Sequence, residues 1–447
     1  MRWLVLASLT AALATGIVLK GGVWPRQWDW SVLAIALAAV ALWLLSDKRH
    51  HTPADRWTTL LIAAFAGWCA LQLVPLPVWL VAILSPTRAE LARAAGLVGW
   101  LPLSIAPAHT FECLLNVGAG VVTVLVARDL AWYWRARPWI PAAPLLALAG
   151  LEGLLGLVQF YLQRMNQTAR PWSTGTFVNR NHYAGFLEMI LPLAIAAAAA
   201  AWRAGVTRHS RPAAPAWKAS ALLALAALLL AAIVASQSRM GFVAALGGLL
   251  VTGLLVAGAT EQRMYGPARR WRWIIPAVTV VLGVSLLFIL LPTRELVERF
   301  AAMAGTGDAN GEVRSQIWRE TIPLVRAFPL TGCGLGTFES AFLRYKHVAP
   351  MFIVDYAHND YLQTLAELGI VGFALGLALV WRIMTRIVRL ALFHQESPGW
   401  ALALGLAGGI SALLLHSLTD FNLYIPANAM ALAWICGLAA GPALGAD

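Results

Sequence analysis

The chain has 447 residues, of which 60% are hydrophobic and only 12% charged, about half the charged share of an ordinary soluble protein. That balance excludes a soluble globular domain, and apolar runs of about 17–25 residues recurring along the whole length mark an integral membrane protein. In this setting the net charge of +12 reflects basic cytoplasmic loops rather than nucleic-acid binding.

In chain order the apolar segments fall near 3–19, 30–46, 57–74, 110–131, 141–163, 183–202, 217–236, 240–259, 273–292, 360–381, 399–417 and 424–444. The expected fold is an all-α integral membrane protein of about 12 transmembrane helices. The first segment follows Arg2 and is read as a helix rather than as a cleaved signal peptide. The stretch 75–84 is apolar but short and bounded by prolines, which predicts an interfacial or re-entrant piece. Trp24, Trp28, Trp30, Trp132, Trp134, Trp271 and Trp273 sit near segment ends and read as interfacial anchors. Cys69, Cys113, Cys333 and Cys436 form no CxxC pair, so neither a disulfide framework nor a zinc site is expected.

The alternate loops 47–57, 128–140, 202–218, 261–272 and 382–398 hold 17 of the 33 Lys and Arg, which assigns them and both termini to the cytoplasm. The largest opposite loop, 293–357, carries seven basic residues balanced by seven acidic ones. The chain divides accordingly into nine helices over 1–292, a helical extracytoplasmic subdomain over 293–357, and three helices over 358–447.

This topology collects four polar segments on the outer face. The first is Asn179-Arg180-Asn181-His182 at a helix start, where unsatisfied backbone N–H groups favour anions; a plain polar cap explains it equally well. Glu188 lies about two turns further on, inside an apolar helix, and predicts pairing with an arginine. The second is Ser236-Gln237-Ser238-Arg239, a tight turn between apolar segments. Arg239 there either snorkels to lipid phosphates or is a fixed cation whose planar fork suits a phosphate-bearing ligand.

The third segment lies in the insert. Arg314 and Trp318, four apart, share a face if 312–327 is helical. Gly332-Cys333-Gly334-Leu335-Gly336 lacks the Gly-Lys-Ser/Thr of a P-loop and reads as a tight turn. The insert ends at His358-Asn359, at the mouth of an apolar helix with Tyr361 and Leu362 on the same face. The positive end of a helix dipole favours a neutral imidazole, and a neutral imidazole accepts a proton, as a general base must. Glu367 falls nearly opposite and is a poor partner for it. The fourth segment is His416 to Asn422, with Asp420 near the outer ends of the last two helices.

These residues resemble the bacterial O-antigen ligase and polymerase superfamily, which also contains protein O-oligosaccharyltransferases. The resemblance runs over roughly 170–425. It is carried by Gly175 to Phe177 with Asn179 to His182, Ser238-Arg239, Arg314 with Trp318, Gly332 to Phe338, His358-Asn359 with Tyr361-Leu362, and Asp420 to Asn422. It implies a metal-independent, inverting, GT-C-like glycosyltransferase that needs no cofactor. The donor would be a glycan on undecaprenyl pyrophosphate at the periplasmic face of the bacterial inner membrane. It further implies that Arg239, Arg314 and Arg180 bind the pyrophosphate and that His358 activates the acceptor hydroxyl. Asn179, Asn181, His182, Glu188, Asn359, Trp318 and Asp420 would support them, and no metal site is implied. The acceptor is lipid A–core for a ligase, another lipid-linked glycan for a polymerase, or a protein hydroxyl; the ligase is favoured.

A transporter of lipid-linked sugars is the reading from a different class. Such proteins place their polar residues near the midplane, often on broken helices. Here Glu152 is the main midplane candidate, while the other polar groups gather at the outer boundary. A purely structural membrane subunit does not account for the mixed-charge insert and the outer arginines.

Overall fold

An apolar run in a membrane can satisfy its backbone N–H and C=O groups only within itself, so it folds as a helix. The structure, a computed structural model, describes residues 2–45, 55–168, 171–207, 213–261, 309–347 and 353–441. Eleven of the twelve expected segments fall on helices. They are α1 (Arg2–Val18), α2 (Pro25–Leu45), α3 (Arg56–Leu71), α6 (Pro107–Tyr133), α7 (Ala143–Met165), α8 (Arg180–Thr207), α9 (Ala213–Ser236), α10 (Arg239–Glu261), α13 (Asp360–Phe393), α14 (Trp400–His416) and α15 (Pro426–Ala440). The expected segment 273–292 and the start of the insert, 293–308, lie outside the described residues. Among the described residues six helices are long and apolar enough to cross a membrane, and five apolar helices are shorter. The protein is thus an all-α, multi-pass membrane protein.

The stretch after α3 forms a two-residue strand, β1 (Leu76–Pro77), paired antiparallel with β2 (Trp100–Leu101). Two short helices follow β1, α4 (Val78–Leu84) and α5 (Pro86–Ala94), neither long enough to span. In the insert, α11 covers Ala309–Ala327, containing the expected helix, and α12 covers Phe338–Phe342. The tryptophan expectation needs correcting at two positions. Trp24 and Trp30 are exposed, as anchors are, but Trp28 and Trp134 are buried in the central hydrophobic core.

The core is centred on α8, which packs against α9, α10, α14 and α15. Lipid gives no hydrophobic drive between helices, so close backbone packing by small residues supplies the attraction. A Cβ on Gly405 would stand 2.8 Å from Leu193 Cα, and one on Gly409 would overlap the Met189 carbonyl, so α14 lies backbone to backbone on α8. Gly248 and Gly408 repeat this between α10 and α14, each meeting the other's carbonyl oxygen at 2.6 and 2.7 Å.

The insert is anchored where α13 breaks. Gly369 has φ of +63°, interrupting the helix, and the backbone groups this frees are satisfied by the glycine turn. Ile370 N donates to Pro329 O at 2.9 Å, while Cys333 N donates to Ala366 O at 2.9 Å and Gly334 N to Glu367 O at 3.0 Å. Gln72 closes the socket from the end of α3. It donates to the Thr331 and Glu367 carbonyls, both at 2.8 Å, and accepts from Leu335 N at 2.9 Å. Gly332, at φ of +70°, touches the Glu367 backbone so closely that a Cβ would overlap it. Gly332→Ala is therefore expected to cost at least about 1–2 kcal/mol from the left-handed backbone alone, with the overlap in addition. A lowered thermal midpoint of the purified protein checks this.

Candidate active site

The N-terminal ends of α8, α11 and α13 and the α14–α15 loop converge on Asp420, which is fully buried. Asn179 starts α8 by accepting the Asn181 N–H at 2.9 Å. This aims Asn181, whose Nδ2 donates to Asp420 Oδ2 at 2.7 Å, and His182, whose Nε2 stands 3.5 Å from Asp420 Oδ1. From α11, Arg314 donates to the Thr419 carbonyl at 2.9 Å and places a second nitrogen 3.7 Å from Asp420 Oδ2. From the start of α13, His358 Nδ1 lies 3.6 Å from Asp420 Oδ1. Burial alone would raise the Asp420 carboxyl, but the histidines facing it outweigh burial and hold it well below the usual carboxylate range.

Phe421 provides the floor. Its ring meets His182 edge-on at 4.6 Å and His358 edge-on at 4.9 Å, while Tyr356 stacks on it at 4.1 Å. His358 has φ of +50°, a left-handed backbone that histidine adopts more readily than most side chains. On either side of it the chain is tied down. Trp318 Nε1 donates to Ala357 O at 2.9 Å, and Asn359 caps α13 by accepting the Leu362 N–H at 3.0 Å. Arg314 and Trp318 thus share one face of α11, as their spacing predicts, and both reach the site. Because Nδ1 of His358 is turned to the Asp420 carboxylate, the tautomer with the proton on Nδ1 leaves the Nε2 lone pair available.

Arg239 opens α10 and Arg180 opens α8, both half-buried. Gly241, the third residue of α10, packs directly on Ala184, the fifth residue of α8, which sets the two helix N-termini side by side. Arg180 also lies over the Trp172 ring at 5.6 Å. Two helix N-termini carrying arginines form a surface suited to an anion.

One expectation changes. Glu188 was expected to pair with an arginine; instead both its oxygens lie 3.0 Å from His416 Nδ1, and both side chains are completely buried. An Arg fork needs room that the close α8–α14 seam does not leave. Glu152, the midplane candidate, accepts from Thr176 N at 2.9 Å and Thr176 Oγ1 at 3.0 Å, gripping the loop before α8. The glycine turn presents N–H groups, but the Glu367 carboxylate already accepts those of Gly336 and Phe338, at 2.8 and 3.1 Å. Sequence reading also passed over Asp360. It accepts from Ser417 Oγ at 2.7 Å and Leu423 N at 3.2 Å, holding the Asp420 loop to α13. The recurrence of Asp360, Gln363 and Glu367 along one helix face was the available signal.

The Glu188–His416 pair carries its own prediction. His416→Leu leaves a buried carboxylate without its partner and is expected to cost about 3–5 kcal/mol. Adding Glu188→Leu should recover much of that loss in a thermal-shift measurement, because an apolar pair replaces a stranded charge.

The family model described as O-antigen ligase matches residues 224–377. That stretch holds Arg239, Arg314, Trp318, the glycine turn, His358 and Glu367, while the α8 motif and Asp420 lie on either side of it. No curated protein matches the chain.

Proposed function

We propose that this membrane protein, whose residues 224–377 match the family model described as O-antigen ligase, is a glycosyltransferase that transfers a glycan from undecaprenyl pyrophosphate to an acceptor hydroxyl. The reaction lies at the periplasmic face of the inner membrane, with both termini in the cytoplasm and the 293–357 subdomain over the site. The observation that carries this reading is the convergence of His358, Arg314, His182 and Asn181 on the buried Asp420.

In the proposed step the acceptor oxygen attacks the anomeric carbon as its proton passes to His358 Nε2. The bond from the anomeric carbon to the pyrophosphate oxygen breaks with inversion, and undecaprenyl pyrophosphate departs with the bonding pair. Arg239 and Arg314, with Arg180 beside them, neutralise the charge that develops on the leaving group; fixed cations aimed at developing charge are worth most where water is excluded. Asp420 holds His358 in the tautomer the step requires and stabilises the imidazolium formed. No metal enters this step.

Lipid A–core is the favoured acceptor, and a second lipid-linked glycan or a protein hydroxyl are the alternatives. The test is turnover by the purified protein in detergent, with labelled undecaprenyl-pyrophosphate glycan and each acceptor in turn. Release of undecaprenyl pyrophosphate with transfer of label supports the reading, and the productive acceptor identifies the reaction. Movement of the intact lipid-linked glycan across vesicles without transfer would sink it.

A further inference from the structure

The restraints on His358 lead away from the site to a carboxylate that the proposed step does not use. The Ala357 N–H, one residue before the histidine, donates to Gln363 Oε1 at 2.8 Å. Gln363 Nε2 in turn donates to Glu367 Oε1 at 3.2 Å. Glu367 is completely buried and anchored by the Gly336 and Phe338 amides. It also accepts the Tyr424 hydroxyl at 2.7 Å. The Tyr424 ring leans on Tyr356 at 5.7 Å, and Tyr356 stacks on Phe421, the ring both histidines touch. Two routes therefore run from Glu367 to His358, one through Gln363 and the backbone, one through Tyr424 and the aromatic floor.

A left-handed backbone at a residue other than glycine persists only where its surroundings over-determine it. Around His358 those surroundings are Trp318 and Asn359, already described, and the Gln363–Glu367 chain. The chain is also the point where the insert's glycine turn is fixed to α13, so it sets the insert and the histidine in one register.

We propose that Gln363 and Glu367 are positioning residues for His358, fixing its backbone and so the direction of its imidazole. This rests on the reading of His358 as the base. The residues touch no reacting atom and act through His358 alone.

The test uses the full-length protein in the transfer assay. Gln363→Leu removes both hydrogen bonds of the first route, and Tyr424→Phe removes the second route's bond with less disturbance. Gln363→Leu is expected to lower kcat about 10–100-fold, the scale of a misplacement near 1 Å, with KM for the lipid-linked donor held within about twofold. In a His358→Ala background it should cost almost nothing more, since residues acting as a unit are not additive. A loss that multiplies fully on top of His358→Ala, or unchanged turnover in Gln363→Leu, overturns the positioning role while leaving the functional reading intact. If Gln363→Leu does not fold, Tyr424→Phe supplies the same comparison in both backgrounds. Absence of transfer by the wild type with every acceptor overturns the functional reading, and this proposal with it.

Discussion

His358→Ala is expected to lower glycan transfer by about 10²–10⁴-fold, the usual contribution of a positioned general base. Donor binding should change little, because the proposed pyrophosphate ligands are arginines on α8, α10 and α11. The fold should also survive. Asn359 still caps α13, Trp318 still holds Ala357 O, and the imidazole is about 29% exposed, so no buried void is left. The measurement is release of undecaprenyl pyrophosphate by purified variant and wild type, alongside their thermal midpoints. A variant within about threefold of wild type would remove His358 from the chemistry.

Asp420→Asn should be nearly as severe for activity and worse for stability. The substitution keeps shape and removes charge, so His182, His358 and Arg314 lose the anion they share. An asparagine can also turn its amide donors toward the histidines and favour the wrong tautomer. Loss of an orienting carboxylate of this kind costs about 10²-fold or more in turnover. Breaking a buried charge network by removing one partner costs about 3 kcal/mol or more. The pH dependence has a definite sign. The Asp420 carboxyl is lowered in the folded protein, so its contribution is fully present above the ordinary carboxylate value of 3.8 and is lost as pH falls through the folded value. The stability gap between wild type and Asp420→Asn should therefore persist from neutral pH down to about pH 4 and narrow only below it. A gap that closed well above pH 4 would mean that the Asp420 carboxyl is not held low in the folded protein.

Much of this was legible in the sequence because membrane helices announce themselves by length and hydropathy. A short polar vocabulary then allowed Arg314, Trp318, His358 and Asn359 to be picked out singly. Helical spacing correctly joined Arg314 to Trp318, and the Asn359 cap was readable as a helix mouth. Partnership across the bundle was not legible. Asn181 and Asp420 are 239 residues apart, and nothing in either segment names the other. Glu188 looked like an arginine partner because intramembrane acids pair with something charged, yet the seam at Gly405 and Gly409 admits only the compact imidazole of His416. Glu367 was set aside because helical geometry puts it opposite His358. The bridge through Gln363, one turn before it on the same helix face, gives it a path there through the Ala357 backbone.

The glycine seam joining α8, α10 and α14 has a consequence for motion. Where Gly405, Gly408, Gly409 and Gly248 bring backbones together, main chain meets main chain with little side chain between to slide over. Displacing one helix by a turn would drive Cβ atoms into main chain, so the three helices move as one keel. A carrier that exposes its cargo alternately to two sides needs a seam that yields. A keel instead suits an anvil, on which lipid-borne reactants arrive by lateral diffusion and are joined. Amide exchange should accordingly be slowest along this seam and faster at the rim, in the insert and in α4 and α5.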